Sequence, residues 1–169
     1  TPESVSEMTA TETEDGWILN GEKRFVQDGA AADMLIVAAR TGEEAKNGIT
    51  LFLVETDSAN VDSRELKTTS SDRMSVMSFG EVSVPKASVL GEVNGGWDVL
   101  EKVFQYGAAG KCAEMAGAGQ KMLDTTVDYV QNRVQFGRPI GSFQAIQHHA
   151  ADMAIEVQAG RQLARQAAW

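Results

Sequence analysis

The stretch from Asn132 to His148 gathers more usable chemistry than any other part of the sequence. It places the Arg133 guanidinium, the carboxamides of Gln135 and Gln144 and the rings of Phe136 and Phe143 around a tight turn, Phe136-Gly137-Arg138-Pro139. A guanidinium forks onto pyrophosphate, carboxamides donate and accept hydrogen bonds, and a helix beginning near Ser142 offers free N–H groups to anions. On residue chemistry alone, such an anion site and a surface helix hairpin with ordinary caps stand level. Other chemistries have weaker claims. His148 and His149 are neighbours on a helix, about 100° apart, so they do not share one face toward a metal ion, and the sequence supplies no His-x-x-x-His pair and only one cysteine. They read as a polar helix flank. Cys112 follows Lys111 in an alanine- and glycine-rich run and reads as a packing residue rather than a nucleophile. The Gly-x-Ser-x-Gly, Gly-x-Gly-x-x-Gly and P-loop patterns are absent, and Gly117-Ala118-Gly119 has no strand before it.

Two kinds of element must position these groups. Up to residue 90 the chain reads as five or six short β-strands. Gly16 to Gly21 runs into a turn, Lys23 to Gln27 precedes an Asp28-Gly29 turn, and Met34 to Ala39 and Ile49 to Val54 follow. Ser75 to Phe79 and Val82 to Pro85 complete the set. Close strand spacing with no intervening helical period predicts an antiparallel barrel or sandwich. After Asn94-Gly95-Gly96 the period becomes helical: Leu123, Val127, Val130 and Val134 form one apolar stripe, with Ala108, Ala109, Gly110 and Gly117 small enough for close helix contact. A second helix begins near Ser142 as its cap, and Ile146, Ala150, Met153, Val157, Gly160, Ala164 and Ala167 make a bundle seam. The expected class is α+β, with a β-domain over residues 1–90 and the first helices of an α-helical bundle over 91–169.

Composition narrows the partners. Of 169 residues, 43% are hydrophobic and 23% charged, which describes a globular chain and not a disordered one. The net charge is −9, of which −8 falls in residues 1–90 and −1 in residues 91–169, so the surface field repels nucleic acid. A lone cysteine suits a reducing compartment, and no run approaches the roughly 20 apolar residues of a membrane span. Residues 1–4 lack the features of a signal peptide. These points predict an intracellular protein, cytoplasmic or, in a eukaryote, in the mitochondrial matrix. A start without Met and an end inside an apparent helix suggest a fragment.

Taken in order, the motifs resemble the acyl-CoA dehydrogenase family over nearly the whole chain. Asp15-Gly16-Trp17-Ile18-Leu19-Asn20-Gly21-Glu22-Lys23 is similar to the strand and turn opening its middle β-domain, and Phe25-Val26-Gln27-Asp28-Gly29 to its aromatic-Ile-Thr-Asn-Gly segment. Ile49 to Glu55, Phe79-Gly80-Glu81-Val82-Ser83-Val84-Pro85, Val89-Leu90-Gly91 and Gly95-Gly96-Trp97 follow in the family's order. Arg133-x-x-Phe136-Gly137-x-Pro139-Ile140, then Phe143-Gln144-Ala145-Ile146-Gln147, is the strongest match.

The resemblance implies FAD, and a reaction in which a base removes the α proton of an acyl-CoA thioester while hydride passes from the β carbon to flavin N5. It implies that Phe25 lies against the isoalloxazine and Gln27 near N5. Arg133, Gln135, Phe136 and Gln144 then reach the ADP portion of FAD in a neighbouring subunit, so the protein is a homodimer or homotetramer. Phe104 and Gln105 align with positions near the acyl-CoA, and an electron-transfer flavoprotein is the expected acceptor. Two departures matter. Gln27 replaces the usual threonine. Gly107 and Ala108 stand where some members keep a catalytic Glu beside an Arg. The catalytic base is therefore expected downstream of Trp169, and Glu114 reads as an ion pair with Lys111. The competing reading is a non-catalytic subunit or interaction module whose partner chain supplies the base.

Overall fold

A computed structural model describes residues 7–169; residues 1–4, read above against a signal peptide, lie outside the described residues. The chain is α+β, a seven-stranded sheet followed by two long helices. The strands are β1 (Met8–Glu12), β2 (Gly16–Gln27), β3 (Met34–Arg40), β4 (Ile49–Glu55), β5 (Val61–Leu66), β6 (Met74–Pro85) and β7 (Val89–Leu90). Their order in the sheet is β5-β6-β2-β1-β3-β4-β7. All neighbours pair antiparallel except β1 and β3, which meet in parallel at Thr9 and Arg40.

One face of this sheet is the core. Met8, Ala10, Trp17, Leu19, Val37, Ala39, Phe52, Val54, Met77 and Phe79 are buried together, and alternate residues of each strand supply them, as the period of two requires. The Trp17 ring meets the Phe52 ring edge-on at 5.5 Å between centroids. Three strand steps separate β2 from β4, about 14 Å in a flat sheet. The sheet therefore curls over on itself.

Two expected boundaries are corrected. Gly16 to Gly21 and Lys23 to Gln27 are not two strands joined by a turn but the single strand β2, and Ser75 to Phe79 and Val82 to Pro85 are likewise one strand, β6. The apparent turn signals are β-bulges. Asn20 alone faces Gly80 and Glu81, while Arg24 and Phe25 together face Val76. Gly21 has φ 141, and a Cβ there would sit 2.2 Å from the Glu7 carbonyl oxygen, so glycine lets β2 pass close under the entry to β1. Strands β1 and β5 were not anticipated.

Helix α1 (Gly96–Asn132) and helix α2 (Gln144–Ala167) are joined by a two-residue hairpin of β8 (Val134–Gln135) and β9 (Arg138–Pro139) and a short 3-10 turn, Ile140–Ser142. The structure divides into one unit ending at Glu101 and a second spanning Lys102–Trp169; the first turn of α1 belongs to the former, because Trp97 is buried with Ile49 and packs with Leu100 and Ala38. Within the second unit, half-buried Leu123, Val127 and Val130 face the α2 seam of Ile146, Ala150, Met153, Val157 and Ala164. Val134 leaves the predicted stripe because α1 ends at Asn132, and it is exposed in β8. The close helix contact is made by Gly119, whose Cβ position lies 3.5 Å from Val157 Cγ2; Gly110 and Gly117 meet nothing within 4 Å. No described helix is long and apolar enough to cross a membrane.

Candidate functional site

In the first unit the bulge in β2 decides where Phe25 points. Strand alternation is broken at Arg24-Phe25, and Phe25 takes φ 57, a left-handed conformation that costs a bulky residue about 1–2 kcal/mol. Its ring is 74% exposed. Val26 packs into the core, so Gln27, the next residue, faces outward as Phe25 does. The end of the strand is held firmly. The Asp28 amide donates to the Arg73 carbonyl at 2.8 Å, its carboxylate pairs with Arg73 Nε at 2.8 Å, and its carbonyl accepts from Ala31 and Ala32 at 2.9 and 3.0 Å. A cleft of about 500 Å³ opens beside it, lined by Asp28, Lys67, Asp72, Arg73 and Ser75 among others. Lys23, two residues before Phe25, has its ammonium pKa lowered by burial, an effect that Glu7 partly opposes.

In the second unit the residues from Asn132 to Gln147 divide into two groups. Asn132 donates to the Asp128 carbonyl at 2.8 Å, Ser142 to the Pro139 carbonyl at 2.7 Å and Gln147 to the Gly141 carbonyl at 3.0 Å. The Arg138 guanidinium lies 4.1 Å from the centre of the Phe143 ring, and Phe136 meets that ring edge-on at 6.1 Å. These side chains build the turn. The Arg133, Gln135 and Gln144 side chains are exposed and, among the described residues, make no hydrogen bond or ion pair. Backbone bonds fix where they stand: the Arg133 amide donates to Tyr129 and its carbonyl accepts from Ile140, both at 2.8 Å. Phe136 (φ 53) and Gly137 (φ 76) are both left-handed, the requirement of a two-residue hairpin turn, and Phe136 is 93% exposed.

Ser142 is not the cap of α2. Its hydroxyl is spent on Pro139, Phe143 occupies the cap position, and no side chain caps the helix, so the first amides of α2 belong to Gln144 and Ala145. Phe104 and Gln105 are exposed on α1. Glu114 does pair with Lys111, one helical turn away on an exposed face. His148 and His149 are exposed. Cys112, expected to be packed, is exposed along a groove between α1 and α2 whose lining includes Met115, Val157 and Leu163. The helices in this unit are too few to cover it. Among the described residues no group of three or more His, Cys, Asp or Glu gathers to hold a metal ion. Sequence reasoning missed the structural service of Arg138 and Phe143. A cation five residues from an aromatic has no periodic signature, and only the hairpin brings them together.

Two family models match along the chain: the acyl-CoA dehydrogenase middle domain over residues 2–83 and the acyl-CoA dehydrogenase C-terminal domain over residues 94–169. The chain belongs to the acyl-CoA dehydrogenase family. A short-chain specific acyl-CoA dehydrogenase from Megasphaera elsdenii is 36% identical over 99% of this chain and 45% of its own length. The solved butyryl-CoA dehydrogenase from Megasphaera elsdenii superposes with a TM-score of 0.91 at 30% identity, over 98% of this chain and 45% of that one. A solved structure described as PigA with FAD and proline superposes equally well, TM-score 0.91, at 25% identity, over 95% of this chain and 43% of that one. The chain spans about half the length of the curated relatives it matches.

Proposed function

We propose that this chain forms the flavin-binding part of an enzyme that dehydrogenates an acyl-CoA thioester between its α and β carbons. The observation that carries the reading is the division of labour between Asn132 and Gln147. One set of side chains is consumed in building the turn, and the set left uncommitted, Arg133, Gln135 and Gln144, has the donors that a dinucleotide demands. The residues present therefore fit FAD. Toward an FAD held by a neighbouring subunit, Arg133 would clamp the pyrophosphate with two parallel charge-assisted bonds, Gln135 and Gln144 would bond the remaining polar atoms of the ADP portion, and Phe136 would supply an apolar face. Phe25 and Gln27 would meet the isoalloxazine, the first as a flat aromatic surface and the second as an amide donor. When bound, FAD supplies the acceptor for two electrons and a proton.

The same reading gives Phe104 and Gln105 to the acyl-CoA and assigns the α-proton base to sequence outside this chain, since Gly107 and Ala108 carry no carboxylate. It retains a division into a middle β-domain over 1–90 and the start of the C-terminal bundle over 91–169, assembly as a homodimer or homotetramer, an electron-transfer flavoprotein as acceptor, and a reducing intracellular setting. Support for the substrate class comes from the names of the relatives, one an acyl-CoA dehydrogenase and one a butyryl-CoA dehydrogenase.

The test is Arg133→Lys in the full-length protein. An ammonium cannot fork, so the FAD-to-protein ratio after gel filtration should fall. Equal flavin content in both proteins refutes the assignment. Anaerobic addition of acyl-CoA then separates the two classes of function. Bleaching of the flavin band supports the enzyme, and flavin that stays oxidised with every acyl-CoA supports the non-catalytic subunit.

A further inference from the structure

The turn that follows β2 is fastened by groups that the proposed function does not use. Past its second bulge β2 returns to β6 for only two register pairs, Val26 with Ser75 and Gln27 with Met74. The bond from the Asp28 amide to the Arg73 carbonyl, 2.8 Å, continues that register by one step. Asp28 is left-handed at φ 54, and there the chain turns away from the sheet. A strand end held by so few pairs frays readily unless the chain beyond it is tied down.

The ties converge on residues 28–33. Ser75, in β6, is 2% exposed, and its hydroxyl oxygen accepts the Ala30 amide at 3.3 Å. Gly29 is buried beside it: a Cβ there would sit 2.8 Å from Val26 Cγ1 and 3.1 Å from Met77 Sδ, so glycine lets the turn lie close on the core. Just past β4 the Thr56 hydroxyl donates to the Ala32 carbonyl at 2.6 Å, and the Thr56 amide to the Asp33 carbonyl at 3.0 Å. The Asp28–Arg73 ion pair is exposed and adds little. Among these ties Ser75 is the one buried side chain on the strand with which Gln27 itself pairs. The Gln27 side chain makes no hydrogen bond or ion pair among the described residues, so its amide stands where the backbone carries it.

Resting on the function proposed above, we infer that Ser75 is a positioning residue for the flavin site: by tying the turn over residues 28–33 to β6 it fixes the end of β2, and with it the direction in which the Gln27 amide reaches the flavin. Hydrogen-bond geometry gives the sensitivity. A binding group is useful only when held to within about 0.5 Å, and its bond weakens steeply once the angle falls below about 120°. A backbone that wanders at Gln27 therefore loses the bond without losing the fold.

The experiment compares Ser75→Ala, Gln27→Ala and the double variant in the full-length protein. Alanine at position 75 removes the acceptor and adds no bulk. In flavin-free protein, hydrogen exchange at the Asp28 and Ala30 amides should quicken about two- to tenfold in Ser75→Ala, the worth of one hydrogen bond. The FAD dissociation constant, read from quenching of flavin fluorescence, should rise about threefold or more in each single variant. The double variant should bind no more weakly than Gln27→Ala alone, because Ser75 acts through Gln27. The visible spectrum of bound flavin in Ser75→Ala should match that in Gln27→Ala. If Ser75→Ala does not fold, Arg73→Gln loosens the same turn from an exposed position and takes its place. Unchanged exchange, an unchanged dissociation constant in either single variant, additive losses in the double variant or a wild-type spectrum in Ser75→Ala each overturn the inference and leave the proposed function standing. A wild-type protein that takes up no FAD overturns both.

Discussion

Phe136→Asn should make the protein more stable and its flavin less tightly held. The hairpin between α1 and α2 needs two consecutive left-handed residues, and Phe136 at φ 53 meets the first requirement against its own sterics. That conformation costs about 1–2 kcal/mol for a residue with a full Cβ environment, and asparagine escapes much of it. Against the gain stands the edge-on contact with Phe143, 6.1 Å between centroids with planes 88° apart. Such pairs contribute about 0.5–1.5 kcal/mol, and with Phe136 93% exposed the lower end applies. The balance is a stabilisation of about 0.5–1 kcal/mol. In a chain of this size each kcal/mol moves Tm by about 2–4 °C, so a rise of about 1–4 °C is expected by circular dichroism on flavin-free protein. Flavin retention should fall at the same time, since asparagine offers the cofactor no aromatic face. A lowered Tm refutes the strain argument, and undiminished flavin content refutes the placement of Phe136 in the site.

Two further predictions concern burial. Lys23 has its pKa lowered by burial, so between its folded pKa and the ordinary 10.5 the unfolded chain binds more protons than the folded one, and stability rises with pH through that window. The stability advantage of Lys23→Met over wild type should therefore shrink as pH approaches 10.5; an advantage that stays constant or grows contradicts the burial of the ammonium. Replacing Met153 and Val157 together by Asp puts two unpaired carboxylates on the half-buried face of α2, where Val157 Cγ2 lies 3.5 Å from the Cβ position of Gly119. Helicity and unfolding temperature should both drop, and unchanged melting would mean that this face does not pack.

How much was legible beforehand follows from the range of the interactions that decide each element. The helices were legible because Ile146, Met153 and Val157 recur at the helical period, a property of the chain itself. The turn chemistry of residues 132–147 was legible as a set of donors around a Gly-Arg-Pro breaker. Its partition was not, because whether Arg138 or Arg133 is free depends on a ring five residues further on meeting one guanidinium and missing the other. Edge strand β5, Val-Asp-Ser-Arg-Glu-Leu over Val61–Leu66, was overlooked because only its ends are half-buried, so it carries no alternating pattern. Strand β1 shows only two buried residues, Met8 and Ala10, too few to stand out.

Sequence by itself determined what local pattern and residue type can dictate: a β-rich half, a helical half, a breaker before Trp97, and a cluster of phosphate-competent side chains between two helices. Tertiary structure decided the matters that depend on register between distant strands. Asn20-Gly21 and Gly80-Glu81 look like turns in one dimension, but they become bulges because β2 and β6 pair on both sides of them. The second β2 bulge turns Phe25 out of the core. The parallel contact of β1 with β3 and the closing of Thr41, Thr50 and Asn94 into one hydrogen-bonded ring bring together residues up to 53 positions apart. No local propensity encodes such meetings, since they exist only after the sheet has curled and buried its face.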